Sequence, residues 1–129
     1  MGMFIAPSLP EAQREDFSHP ERFPSWPDQY RVQMQYRGFR RALLSTIRNY
    51  FARDVREDYR RVGQSGRPVL LLWGEADRVA KVEYGRSYAA SIEGACFETI
   101  EDSGHFPHLE QPQIFAHAVA GFIDSIPRR

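Results

Sequence analysis

The sequence predicts an α/β fold, and the order of its last four regular segments carries the prediction. Pro68-Val-Leu-Leu-Leu-Trp73 is an unbroken apolar run ended by Gly74, typical of a parallel strand covered on both faces. Residues 95–100 alternate more and fit a second, more peripheral strand. Helical spacing over 83–92 and a wide apolar stripe over 114–126 predict helices after each strand. The order strand, helix, strand, helix indicates an α/β sheet with a right-handed crossover.

The region before the first strand has a helical character. Residues 1–29 combine five prolines with several aromatic residues, which predicts short elements that lie on another surface. Apolar residues three and four apart then predict helices over about 28–36 and 38–53. A short, charged helix is expected over 54–61, followed by a loop at Gly63-Gln64-Ser65-Gly66.

Composition argues against several classes of function. Lys and Arg total 17, as do Asp and Glu, so no net field attracts nucleic acid. Cys96 is the single cysteine, which excludes an internal disulfide, and we expect it to be buried in the second strand. The four histidines lack metal-binding helix spacing, so we expect neither metal nor cofactor. No apolar run approaches the ~20 residues of a membrane span, and no export signal begins the chain, so we expect a cytoplasmic protein.

Two loops at strand ends carry the candidate catalytic residues. Asp77 follows the first strand in Gly-Glu-Ala-Asp, and His105 follows the second in Asp-Ser-Gly-His. Because functional groups collect at the carboxyl ends of parallel strands, these residues can form the acid–base half of a nucleophilic triad. Asp102 is an alternative acid, although Asp before Ser-Gly is common turn chemistry. Phe106 is a candidate for lining a substrate pocket, and Glu110 for capping the closing helix or pairing with an Arg.

The 129 residues contain no motif that would identify a nucleophile. Gly63-Gln64-Ser65-Gly66 suggests a GxSxG motif, but Arg67 stands where glycine is needed. The segment also precedes a strand, whereas a nucleophile elbow follows one. No GxSxG, GxDxG or GxCxG motif occurs in the chain.

Residues 68–77 (PVLLLWGEAD) and 104–112 (GHFPHLEQP), with the closing helix, resemble the C-terminal end of α/β-hydrolase-fold enzymes. Residues 33–48 resemble the stretch between cap and last strands in the same family. This resemblance implies that Asp77 is the triad acid and His105 the triad base. A proline that the family prefers three residues after the acid is absent here.

The resemblance also implies a division of the chain and an activity. Residues 1–36 would be the remnant of a helical cap, and 37–129 the C-terminal part of the hydrolase core. The expected activity is cofactor-free hydrolysis of a small, largely apolar ester, or of a C–C, epoxide or haloalkane substrate, with Ser or Asp as nucleophile. We expect this chain to be a C-terminal fragment, inactive alone, that self-associates or binds a complementing N-terminal half.

A second hypothesis belongs to a different class of function. A central parallel strand needs a neighbour on each side, yet the sequence encodes one other strand. An open apolar edge favours pairing with another chain. On this hypothesis the chain is a non-catalytic interaction module.

Overall fold

The computed structural model describes residues 9–50 and 54–127. These residues form two compact units. The first contains residues 9–15, 20–50 and 54–55, and the second contains residues 16–19 and 56–127. The predicted division into a cap remnant (1–36) and a core (37–129) concerns the roles of these parts and stays a prediction.

The first unit is helical. Its elements are α1 (Leu9–Arg14), a 3-10 turn (Pro20–Arg22), α2 (Trp26–Met34) and α3 (Phe39–Tyr50). A proline in the first turn of α2 suits a helix start, because its missing N–H would have no helical partner there. Arg31 on α2 forms ion pairs with Glu11 of α1 and with Asp28. Both predicted helices are confirmed within a few residues; the end predicted at 53 lies outside the described residues.

The second unit contains the sheet. Its elements are α4 (Arg56–Gln64), β1 (Leu70–Gly74), α5 (Val82–Ala89), β2 (Cys96–Ile100), α6 (Pro107–Glu110) and α7 (Pro112–Ser125). The two strands pair in parallel, with Leu70 opposite Cys96 and Gly74 opposite Ile100. Helix α5 connects them and packs against both. The α/β prediction is confirmed, as are two parallel strands with flanking helices.

Some local predictions were wrong. Helix α4 continues through Gly63 and Gln64, where a loop was expected. A Cβ at Gly63 would lie 2.5 Å from the Glu93 nitrogen, so a residue without a side chain lets the helix end rest on that backbone. Helix α5 ends at Ala89 rather than 92, and α6 was not foreseen. Cys96 is exposed rather than buried, because it begins the peripheral strand.

The core of the second unit is small. Phe17, Ile92 and Ile100 are its buried apolar side chains. Residues 70–73 of β1 are half-buried, although their apolar run predicted coverage on both faces. On α7, Ile123 is 58% exposed. Within the two described ranges, no helix is both long enough and apolar enough to cross a bilayer.

Two glycines make a matched test of this packing. A Cβ at Gly85 of α5 would lie 2.6 Å from the Trp73 ring and 2.8 Å from the Phe97 ring, whereas a Cβ at Gly121 of α7 would meet nothing within 4 Å. We expect Gly85→Ala to lower the free energy of unfolding by about 1–3 kcal/mol through overpacking. Gly121→Ala should raise it by about 0.5–1 kcal/mol, because alanine loses less backbone entropy in a helix. Urea denaturation measures both; equal effects would contradict the tight contact of α5 with the sheet.

Candidate active site

The loop after β1 fixes the Asp77 carboxylate. Its Oδ1 accepts hydrogen bonds from the backbone N–H groups of Val79 at 2.9 Å and Ala80 at 2.8 Å. The Trp73 indole N–H donates to the Ala80 carbonyl at 2.7 Å, which ties the loop back to its strand. The Asp77 side chain is only 6% exposed. One carboxylate oxygen is therefore occupied by the loop, and Oδ2 is left for another partner.

The loop after β2 is bonded to the first loop through backbone groups. Asp102 adopts a φ of +52°, a turn conformation that Asp tolerates better than most residues. Ser103 is fully buried, and its hydroxyl donates to the Ile100 carbonyl at 3.1 Å. The Glu75 N–H donates to the Ile100 carbonyl at 3.1 Å and the Ala76 N–H to the Ser103 carbonyl at 2.9 Å. The two loops thus form one hydrogen-bonded layer at the carboxyl end of the sheet.

Gly74 allows the loops to come this close. A Cβ at this position would overlap the Gly104 carbonyl oxygen and lie 2.6 Å from that of Ser103. Both obstacles are backbone atoms, which cannot swing aside as a flexible side chain can. Any other residue at position 74 would force the two loops apart.

This approach brings together the two catalytic candidates, which are 28 residues apart in sequence. His105 Nδ1 lies 2.9 Å from Asp77 Oδ2. Because a carboxylate can only accept, Nδ1 carries the proton in this bond, and Nε2 is the nitrogen that can take one up. The His105 side chain is 36% exposed, far more than its partner. A buried acid that orients a more accessible imidazole can serve a nucleophile as a general base.

Asp102, the alternative acid, has other partners. Its Oδ1 lies 2.5 Å from His19 Nε2, and the Gln111 side-chain amide donates to its carbonyl at 3.2 Å and to Oδ2 at 3.3 Å. These bonds hold the turn before the histidine loop. The described ranges contain no group of three or more His, Cys, Asp or Glu side chains that could hold a metal.

A segment whose contact surface could not be predicted from the sequence lies directly against the histidine loop. Residues 16–19 belong to the second unit although they are distant in sequence. The His105 N–H donates to the Asp16 carbonyl at 2.9 Å, and the buried Phe17 ring lies 4.6 Å from the Phe106 ring. The aromatic residues in the proline-rich stretch 1–29 indicated that this stretch is buried against some surface. They did not indicate which part of the chain provides that surface. That Phe106 lines a substrate pocket stays a prediction; its ring is 5.3 Å from that of His105.

Glu110 was expected to cap a helix or pair with an Arg, and it contacts more of the loop than capping requires. Its Oε1 accepts from the N–H groups of Gly104 at 2.8 Å and Phe106 at 3.3 Å. Its Oε2 accepts from the Ser18 N–H at 2.7 Å. One carboxylate therefore bonds both neighbours of His105 and the 16–19 segment.

Asp16 lies within the electrostatic reach of the Asp77–His105 pair. Burial raises the pKa of Asp16 above its ordinary value of 3.8. The His105 ring acts in the opposite direction on this pKa, and the Asp77 carboxylate raises it further. The folded chain therefore disfavours the charged form of Asp16.

Comparisons with known proteins match this chain to one family. A sequence model of the α/β hydrolase family matches residues 2–118. The chain is 32% identical over 57 residues to YugF, an uncharacterised hydrolase of Bacillus subtilis, which covers 44% of this chain and 21% of that protein. It is 34% identical over 73 residues to 3-oxoadipate enol-lactonase 1 of Acinetobacter baylyi, covering 57% and 26%.

A solved structure extends the likeness to nearly the whole chain. The crystal structure of a hydrolase from Pseudomonas aeruginosa superposes with a TM-score of 0.71 at 24% identity, over 92% of this chain and 44% of that one. At this identity the likeness shows the fold. The matched segments thus span about a quarter or less of the two curated relatives and under half of the solved chain.

The shifted pKa leads to a test of stability against pH. A raised folded pKa means that the folded state binds the Asp16 proton more tightly than the unfolded chain. Its contribution to stability is full below pH 3.8 and is lost as the pH rises through the folded pKa. We therefore expect Asp16→Asn, which keeps the backbone carbonyl, to stabilise the chain at neutral pH.

That gain should shrink as the pH falls toward 3.8. Urea unfolding across this range measures it, with Glu15→Gln as the control for loss of one exposed negative charge. A gain that is the same at every pH, or that the control reproduces, would contradict the effect of burial on Asp16.

Proposed function

Because this chain belongs to the α/β-hydrolase family, we propose that it supplies the acid and the base of a hydrolytic triad, Asp77 and His105. The observation that carries the proposal is the 2.9 Å bond between His105 Nδ1 and Asp77 Oδ2 at the carboxyl end of a parallel sheet. A buried carboxylate beside an imidazole at this edge is the arrangement that nucleophilic hydrolysis needs.

Each residue has a defined part in this chemistry. His105 takes a proton at Nε2 from the nucleophile or from water and returns it to the leaving group. Asp77 keeps the ring in the Nδ1–H tautomer and stabilises the imidazolium that forms. The nucleophile, Ser or Asp, comes from a segment outside these 129 residues, which contain no nucleophile-elbow motif.

The substrate we propose is a small, largely apolar ester. Support comes from the Acinetobacter relative, which is named as an enol-lactonase, since a lactone is a cyclic ester. Ester hydrolysis needs no cofactor when a nucleophile, a base and an oriented acid are present. C–C, epoxide and haloalkane cleavage remain alternatives that the nucleophile would decide.

If the nucleophile lies elsewhere, the isolated chain should be a poor esterase. We expect it to hydrolyse p-nitrophenyl butyrate no faster than its His105→Ala variant, because an unassisted imidazole gives little acceleration. A steady-state assay of the two purified proteins decides this. Robust turnover that His105→Ala abolishes would show that the chain holds its own nucleophile.

The roles of the two residues can be tested once a nucleophile is present. Combining the chain with a complementing N-terminal half, or grafting the whole chain in place of the matching part of a related hydrolase, would provide one. In the active assembly, His105→Ala and Asp77→Asn should each lower kcat by about 10³–10⁴-fold. Asp102→Asn is the matched control and should stay within a few-fold of the parent. If Asp102→Asn is the more damaging change, the acid has been assigned to the wrong residue.

The alternative function, an interaction module, is favoured by one observation on β1. The apolar residues 70–73 are half-buried, and within the described residues β1 pairs with a strand only along its β2 edge. Such an edge can accept a strand from a second copy or from another chain.

Light scattering tests this alternative. If the chain pairs through the open edge of β1, it should be a dimer, and Leu72→Pro should make it monomeric. Val69 and Glu75 bond toward β2, so by alternation the N–H of residue 72 faces the open edge, and proline there removes a donor that a second chain would need. Ile123→Lys, on the exposed face of α7, controls for association through apolar helix residues. A parent chain that is monomeric at all concentrations, and that binds no complementing half, would contradict this function.

A further inference from the structure

We propose that Glu110 is a positioning residue for His105, and that its carboxylate holds the backbone on both sides of the base. This role deepens the proposed function and rests on it, since positioning matters only if His105 transfers protons. The Glu110 carboxylate bonds backbone N–H groups and not the side chains of Asp77 or His105. On this proposal it does not contact the substrate either.

The geometry that carries the proposal is the convergence of three backbone N–H groups on one carboxylate. Gly104 and Phe106, the residues before and after His105, both donate to Oε1, at 2.8 and 3.3 Å. Ser18 donates to Oε2 at 2.7 Å. The N–H of His105 donates to the Asp16 carbonyl at 2.9 Å. All three consecutive amides of the loop, 104 to 106, are thus directed to fixed acceptors.

These bonds are of a strong kind and have no ready substitute. Hydrogen bonds from backbone N–H groups to an ionised carboxylate are shorter and stronger than those between neutral groups. Gly104 is buried, so removal of the Glu110 carboxylate would leave its N–H without its acceptor in the protein. A Cβ at Gly104 would lie 2.5 Å from the Asp16 oxygen and 2.7 Å from the Ser18 nitrogen, so the loop rests directly on that segment.

The position of Glu110 in the chain explains how it reaches the loop. It is the last residue of α6, a single turn that begins at Pro107 directly after the histidine loop. Pro107 has no N–H, and the carboxylate folds back past it to the amides of Phe106 and Gly104. The carboxylate therefore closes a ring around residues 104–110 rather than merely capping a long helix.

Two separate anchors then determine where the imidazole points. Asp77 holds the ring through Nδ1, and Glu110 holds the backbone from which the ring projects. A general base works only within hydrogen-bond reach of its proton, so a loop displaced by about 1 Å would lose much of its effect. Glu110→Gln divides these contacts: it keeps an oxygen for Gly104 and Phe106 and places an NH₂ group, which cannot accept, toward Ser18.

The test is solution NMR on the isotope-labelled 129-residue chain, which needs no nucleophile and no substrate. Long-range proton–nitrogen spectra report the His105 tautomer, and hydrogen exchange reports the amides of Ser18, Gly104 and Phe106. In the parent we expect a single Nδ1–H tautomer. In Glu110→Ala we expect mixed tautomers and exchange at least about tenfold faster at all three amides. Glu110→Gln should keep the tautomer and lose protection at Ser18 alone; Glu101→Gln, an exposed change, should alter nothing.

The outcomes separate the two proposals. If Glu110→Ala unfolds the chain, Glu110→Asp decides, because its shorter side chain keeps the charge but cannot reach both Gly104 and Ser18. Faster exchange at Gly104 and Phe106 together with mixed His105 tautomers supports the inference, and exchange and tautomer like those of the parent overturn it. If Glu110→Ala lowers stability but leaves the tautomer and the loop amides as in the parent, Glu110 is merely structural. The Asp77–His105 bond is tested separately, because Asp77→Asn should remove the tautomer preference of the parent. If the parent has no such preference, or if Asp77→Asn leaves it unchanged, the assignment of Asp77 as the acid partner of His105 is wrong. The proposed function then fails independently of Glu110.

Discussion

The second unit depends on a close approach between two pieces of backbone at the ends of its two strands. Gly74 allows it, because any side chain there would meet the carbonyl oxygens of residues 103 and 104. The loop hydrogen bonds across this contact, and the bond between Asp77 and His105, follow from the same closeness. A position without a side chain at the end of β1 is thus a precondition for the geometry of this site.

The proposed acid and base are held in different ways. Asp77 is buried and fixed by its own loop, whose amides occupy one oxygen and whose end is tied to the Trp73 indole. His105 is more exposed, and its backbone is held by groups from other parts of the chain. In the proposed reaction, the His105 ring has to keep its position while it gains and loses a proton at Nε2. Anchoring both the Asp77 carboxylate and the His105 backbone suits that requirement.

The fold class and the positions of Asp77 and His105 could be predicted from the sequence, because both depend on patterns in neighbouring residues. The apolar run 68–73 and the stripe over 114–126 have the patterns of a strand and a helix, so these two elements and the α/β class followed from the sequence although their side chains are less buried than expected. The positions of Asp77 and His105 after their strands followed from the rule that parallel strands end at one edge. The end of α4 could not be predicted in this way, because a glycine in a sequence usually indicates that a helix ends. Gly63 is instead needed for a close contact with the backbone of residues 92 and 93.

What could not be predicted depends on contacts between distant residues. The 16–19 segment carries no periodic pattern, and nothing in the letters Asp-Phe-Ser-His indicates that its amide and carbonyl bond the histidine loop. Glu110 likewise suggested a helix cap or an Arg partner, since the sequence shows its neighbours along the chain and not the amides that fold back on it.

The same distant contacts have a consequence for the order of folding. Strands β1 and β2 with α5 between them are close in sequence, whereas the Ser18–Glu110 and His19–Asp102 bonds join residues 92 and 83 positions apart. Closing so long a loop costs more chain entropy, and contacts of high sequence separation slow folding. The β-α-β unit can therefore form early, while the loop that carries His105 acquires its final support only when residues 16–19 pack against it. The arrangement of the proposed acid and base would be among the last features to form during folding.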